Sequence, residues 1–168
     1  MKRLFLFSAL TLSLFSCSGS TKTVEASAAT FDVDKLLAVA EQKVDSTVTV
    51  VGFVTHTCKH SGKKCFIVDE SQKVSFQIMA DGEIETFSPE LVGSKLAVTG
   101  VLKEYRLSEE TINESETAYK KLEKEEGMAE TCATELSNIS EMRQWMKDRG
   151  KDYYVMYYME GQKYNVVK

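Results

Sequence analysis

The chain has 168 residues, 43% of them hydrophobic, with 21 basic and 25 acidic side chains, a formal net charge of −4, four cysteines and two histidines. Its length suits one domain with a real core. The acidic balance, with no basic stripe interleaved with aromatics, argues against nucleic acid as a partner, because acidic chains repel phosphate backbones.

Met1-Lys2-Arg3 followed by the apolar run Leu4 to Ser16 is a short basic region and a hydrophobic segment too short to span a bilayer permanently, which marks an export signal. Leu14-Phe15-Ser16-Cys17 resembles the bacterial lipobox, in which the cysteine is lipidated and becomes the first mature residue. That resemblance implies a signal peptide over 1–16, a lipid on Cys17, and a protein held on a membrane surface, facing the periplasm, most simply at the outer membrane. Ordinary secretory cleavage near Ala26 to Ala29 is the alternative. The 21 basic residues fall to 19 once Lys2 and Arg3 leave with the signal, against 25 acidic ones, for a mature net charge near −6. Residues 17–30 are small and polar and read as a flexible tether, which leaves 31–168 as the domain.

Phe31 to Glu41 places apolar residues at 33, 36, 37 and 40, the spacing of a short amphipathic helix, with Asp32 or Asp34 as N-cap. Thr47 to Cys58 is a long β-branched strand with Gly52 as its natural bend. Ser61-Gly62 reads as a two-residue hairpin loop leading to the strand Cys65 to Asp69, and a polar turn then leads to Val74 to Met79. Asp81 to Gly93 is a turn with a short helix or loop at Pro89, and Ser94 to Tyr105 is a fourth strand containing Gly100.

This order, with Val50-Val-Gly-Phe-Val54 and Val98-Thr-Gly-Val-Leu102 as first and fourth strands, resembles the OB-fold over roughly residues 45–107. The resemblance implies a mainly β (α+β) antiparallel barrel. Together with the lipobox and the cysteine-histidine hairpin, the chain resembles small OB-fold lipoproteins of the Bacteroidota type, a likeness that supplies a fold and a location but no reaction.

Ser108 to Gly127 reads as a charged helix capped by Ser108, with a thin apolar stripe of Ile112, Tyr119 and Leu122. Cys132 falls in a polar linker, and a second helix runs from about Ser137 to Arg149 with Ile139, Met142, Trp145 and Met146 on one side. Residues 108–149 are therefore a helical insertion. The end, Asp152 to Lys168, has the form of a C-terminal hairpin turning at Glu160-Gly161, and its tyrosine-methionine run, Tyr153 to Met159, offers ring faces and soft sulfurs to a ligand while also suiting a strand.

Chemistry concentrates in Thr55 to Cys65, which carries both histidines and two cysteines. With a two-residue loop, Cys58 pairs with Cys65, His60 with Lys63 and His56 with Ile67, so that His56, Cys58, His60 and Cys65 share one face. Two outcomes follow. One is a cross-strand disulfide, Cys58 to Cys65, with Cys132 left over or pairing with either. The other is a zinc or copper site drawn from His56, Cys58, His60, Cys65 and Cys132. His56 and His60 lie ~13 Å apart on a straight strand, so His56, Cys58 and Cys65 with Cys132 form the easier set. The C-x6-C spacing argues against thiol-disulfide exchange of the usual C-x-x-C kind, and no G-x-S-x-G, H-E-x-x-H or phosphate-cradling loop is present, which points away from an enzyme. The reading is a membrane-anchored module that binds a protein or small-molecule partner through the barrel face and its first hairpin, with a metal-binding or redox-active protein as the alternative.

Overall fold

The structure, a computed structural model, describes residues 28–125 and 129–167. Its strands are β1 (Ala29–Asp32), β2 (Thr47–Thr57), β3 (Lys64–Val68), β4 (Ser75–Ala80), β5 (Lys95–Ser108) and β6 (Tyr153–Val167). Its α-helices are α1 (Val33–Ala38), α2 (Glu109–Glu125) and α3 (Ala129–Arg149). The sheet order is β1-β2-β3-β4-β6-β5, and β5 also pairs with β2, which closes five strands into a barrel. The β4–β6 pair is parallel and the other barrel pairs are antiparallel. This is the expected OB-fold-like α+β architecture.

β2 forms because β-branched residues alternate with a buried set, Val48, Val50 and Val54, and it serves two neighbours in turn. Thr47 to Phe53 pairs with β5, and Phe53 to Thr57 with β3, so the change of partner falls around Gly52 as its place in the sequence suggests. Ile67, Phe76, Ile78, Leu96, Val98, Leu102 and Met159 complete the interior, and Val33 and Leu36 of α1 join the same core. Removal of this apolar surface from water is what drives closure of the barrel.

Several boundaries differ from the sequence expectation. β1 begins at Ala29, inside the stretch assigned to the tether, and runs parallel to β2. The short helix expected at Pro89 is a single 3-10 turn over Pro89–Leu91, entered by Ser88, whose hydroxyl accepts from the Glu90 N–H at 3.3 Å. α2 is capped as expected, the Ser108 hydroxyl accepting from the Thr111 N–H at 3.2 Å, whereas Gly127 lies outside the described residues. Cys17 and the signal also lie outside them. No helix among the described residues is long and apolar enough to cross a membrane.

The C-terminal hairpin is replaced by one continuous strand. β6 pairs with β5 from Tyr153 to Val167, with a bulge where Gly100 faces Gly161 and Thr99 faces Lys163. A Cβ on Gly100 would stand 2.2 Å from the Glu160 carbonyl oxygen, so glycine is required there by close backbone approach rather than by a turn. The helical insertion before β6 is present as α2 and α3, which pack on each other and on the protruding β5–β6 ribbon through Ile112, Ile139, Met146, Leu107, Trp145 and Tyr154.

Candidate functional site

The first hairpin differs from the expected one at both ends. The β2–β3 register shifts between Val54 and His56, so Thr55 is the extra residue of a bulge, and its hydroxyl donates to the Phe66 carbonyl at 3.3 Å. Beyond the bulge His56 faces Phe66 and Thr57 faces Cys65. The connection is six residues, Cys58 to Lys63, rather than Ser61-Gly62 alone. Its loop is closed by the Gly62 N–H donating to the Cys58 carbonyl at 2.8 Å, and it docks on the neighbouring segment where the Phe87 N–H donates to the Gly62 carbonyl. Gly62 adopts φ 62°, the left-handed region that favours glycine.

A single extra residue in a strand reverses every side chain after it, and the expected common face is accordingly not formed. Cys65 points into the barrel and is fully buried, Thr57 is buried opposite it, and His56 lies outside with its ring 5.9 Å from that of Phe66. Cys58 and His60 belong to the loop, Cys58 half-buried and His60 exposed. Cys132 is buried in the helical insertion, on α3 rather than in a linker. Its signal was legible: Cys132, Ile139 and Met146 stand seven residues apart, one stripe of a helix on which a free cysteine behaves as a small apolar group. Cys58, Cys65 and Cys132 are all free thiols, and among the described residues no three His, Cys, Asp or Glu side chains converge as a metal group would need.

The three thiols differ chemically because their surroundings differ. Cys65, among apolar side chains, is pushed up to about 12 by burial. Cys58 is lowered from 9.0 to about 7, first by the Ser61 hydroxyl, which donates to its Sγ at 3.4 Å, then by the backbone N–H groups of Ser61 and His60, with Lys64 adding a favourable charge. The loop thus stabilises a thiolate at Cys58.

The other surface with functional character is the outer face of the barrel beside this loop. One row of paired residues crosses five strands, His56, Phe66, Gln77, Tyr158 and Lys103 in order. A groove of about 390 Å³ opens on the same side, lined by Lys64, Gln77, Met79, Tyr105, Met156, Tyr157 and Tyr158. Tyr105 and Met156 face each other across the β5–β6 ribbon and are 56% and 47% exposed, so together they form an exposed apolar pair. Gln77 donates its amide N–H to the Met79 sulfur at 3.1 Å. Of these residues, Met156 to Tyr158 lie in the tyrosine-methionine run noted in the sequence. Gln77, Met79 and Tyr105 carry no local signal, because only the pairing of β6 with β4 and with β5 brings them to that run.

The groove draws one residue from β3, two from β4, one from β5 and three from β6, on the outer face of the barrel. No family model matches the chain, and no curated protein matches it. Among solved structures, a putative aspartyl-tRNA synthetase from Leishmania major Friedlin is similar at 21% identity over 51% of this chain, with a TM-score of 0.32. The similarity spans 18% of that structure's chain and carries no functional argument here.

Proposed function

We propose that this protein is an exported, lipid-anchored binding module, of the small OB-fold lipoprotein type, that captures a protein or small-molecule ligand on the outer face of its barrel. The observation that carries the reading is the groove of Met79, Tyr105, Met156 and Tyr158, a partly exposed aromatic and methionine surface on the outer face of the barrel. The anchor rests on the lipobox-like sequence around Cys17, which supports a module held on a periplasm-facing membrane surface.

Photo-crosslinking tests the binding surface. A benzophenone side chain substituted at Met156 yields a defined adduct in the producing cell, and the adduct is lost when Met79→Ala and Tyr105→Ala are added. An adduct unchanged by those substitutions, or formed equally from Thr117 on α2, removes the groove as the site. For the anchor, Cys17→Ser releases the protein from the membrane fraction; retention there removes the lipoprotein reading.

A second reading, a redox-active thiol in the hairpin, is favoured by the Cys58 environment. At pH 7 about half of Cys58 is thiolate at its lowered value, against a few per cent for an ordinary cysteine. Alkylation by iodoacetamide therefore titrates with a midpoint near 7, and Ser61→Ala moves that midpoint upward by removing the hydroxyl donor. A midpoint of about 8.5, that of a free thiol, removes the second reading. Cys65 stays unreactive across this range until the barrel unfolds.

A further inference from the structure

The groove has a charged end. Lys59, Lys63 and Lys64 fall within six residues of the first hairpin, beside exposed His60, and Lys64 itself lines the groove. Five lysines elsewhere on the barrel and its helices are answered locally, Lys35 by Asp32, Lys95 by Glu70, Lys103 by Asp45, Lys120 by Glu116 and Lys151 by Glu41, while others such as Lys43, Lys73 and Lys163 stand singly. Among the described residues no carboxylate pairs with Lys59, Lys63 or Lys64. The Lys63 ammonium instead donates to the Glu85 backbone carbonyl at 2.7 Å, which positions it without neutralising it. Three clustered lysines without a carboxylate ion pair therefore stand at the hairpin, beside a segment that carries Asp81, Glu83 and Glu85, and Lys64 brings their charge to one end of the groove.

The positive charge does not continue along the groove. Its middle holds Gln77, Met79 and Tyr158, and Lys103 at the far strand is engaged by Asp45 at 2.8 Å and approached by Glu160 at 3.9 Å. A phosphodiester backbone carries charge along its whole length and needs cations spaced to match. An acyl chain fits no better, because the Gln77 amide and the hydroxyls of Tyr105, Tyr157 and Tyr158 are interleaved with the methionines, and burying them against hydrocarbon leaves polar groups without partners. Amide and hydroxyl groups alternating with soft apolar ones suit a polypeptide backbone and its side chains. From Lys64 to Tyr105 the path crosses three inter-strand spacings and four residues of strand rise, a diagonal of about 20 Å, the length of about six extended residues.

We propose that the face takes an extended polypeptide segment with carboxylates at one end and apolar side chains after them. The carboxylates meet Lys59, Lys63 and Lys64, and the apolar side chains seat among Met79, Tyr105, Met156 and Tyr158. The inference rests on the reading of this face as the binding surface, and it adds the chemistry of the ligand.

The test uses the full chain and fluorescein-labelled eight-residue peptides that have three glutamates followed by alternating leucine and serine, with glutamine and lysine versions of the head. A single-stranded twelve-nucleotide DNA and phosphatidylglycerol vesicles serve as the other anionic probes. Anisotropy gives affinity, and backbone amide NMR shifts give location. The acidic peptide binds at least tenfold more tightly than the glutamine version and shifts the signals of Lys64, Met79 and Tyr158. Lys63→Glu combined with Lys64→Glu erases the preference while circular dichroism and the thermal midpoint stay unchanged. Equal binding of the acidic and glutamine peptides at this face overturns the charge assignment and leaves the binding face standing. If no peptide shifts these signals, both fail. Tighter binding of the oligonucleotide or the vesicles than of the acidic peptide overturns the polypeptide assignment.

Discussion

The barrel interior is filled from every barrel strand, with Val50, Ile67, Phe76, Ile78, Leu96, Val98, Leu102 and Met159 almost wholly removed from water, whereas the α2–α3 pair and the ribbon beneath it rest on Ile112, Ile139 and Met146 with partly exposed neighbours. Polar contacts make up part of the difference. Arg143 of α3 reaches Glu109 at 3.0 Å, Asn113 at 2.7 Å and Glu116 at 2.6 Å on α2, and the rings of Trp145 and Tyr154 meet edge to face at 5.2 Å. One region is held by burial and the other by a thin stripe plus ion pairs, so the two differ in local stability. The groove lies between them, its floor on the barrel strands and its far wall on the ribbon.

The largest expected effect is in the barrel. Phe76→Ala removes a fully buried ring and costs about 3–5 kcal/mol of global stability, measured as a lower urea midpoint of the whole transition. Ile112→Ala costs about 2 kcal/mol, at the low end for such a truncation because its surroundings are thinner. Its signature is local: amide exchange quickens in α2 and α3 while the barrel strands keep their protection. Equal loss of protection in both regions removes the distinction between them.

Arg143→Ala has the smallest effect, since the ion pairs it makes with Glu109 and Glu116 lie at the surface, and it again shows in the exchange of α2 and α3. The effect depends on pH. Glu116 is held below its ordinary 4.5 by hydrogen bonds from Lys120 and then Arg143. A carboxylate with a lowered native value contributes stability above its unfolded value and loses it as pH falls through the native one. The difference between Arg143→Ala and the parent protein is therefore present at neutral pH and disappears in acid below the ordinary carboxylate range.

Much of the fold is legible in local pattern. The buried alternation of β2, β4 and β5, the partner change around Gly52 and the Ser108 cap all follow from neighbouring residues. The cysteine-histidine cluster was legible as a cluster but not as a geometry. Its expected face depended on counting residues across a turn, and one bulged residue at Thr55 was enough to send Cys65 inward and leave His56 outside. Cys132 belongs to α3 although the residues around it are polar, and its seven-residue spacing to Ile139 and Met146 is the local sign of that helix.

Glu160-Gly161 illustrates the remaining difference. Locally it reads as a turn, yet Gly161 packs inside the barrel near Ile78 and Val98 while β6 continues past it, paired with β4 and β5 at once. Alternation and capping act over a few residues, and for that reason composition and spacing alone determine the first four barrel strands, the charged helix and the clustering of cysteine and histidine in the first hairpin. Which thiol is solvated, which strand closes the barrel, and which tyrosines and methionines line the groove with Lys64 depend on pairings between residues up to about eighty positions apart. Only closure of the core selects those pairings, because burial rewards the complete set of contacts and no local segment contains it.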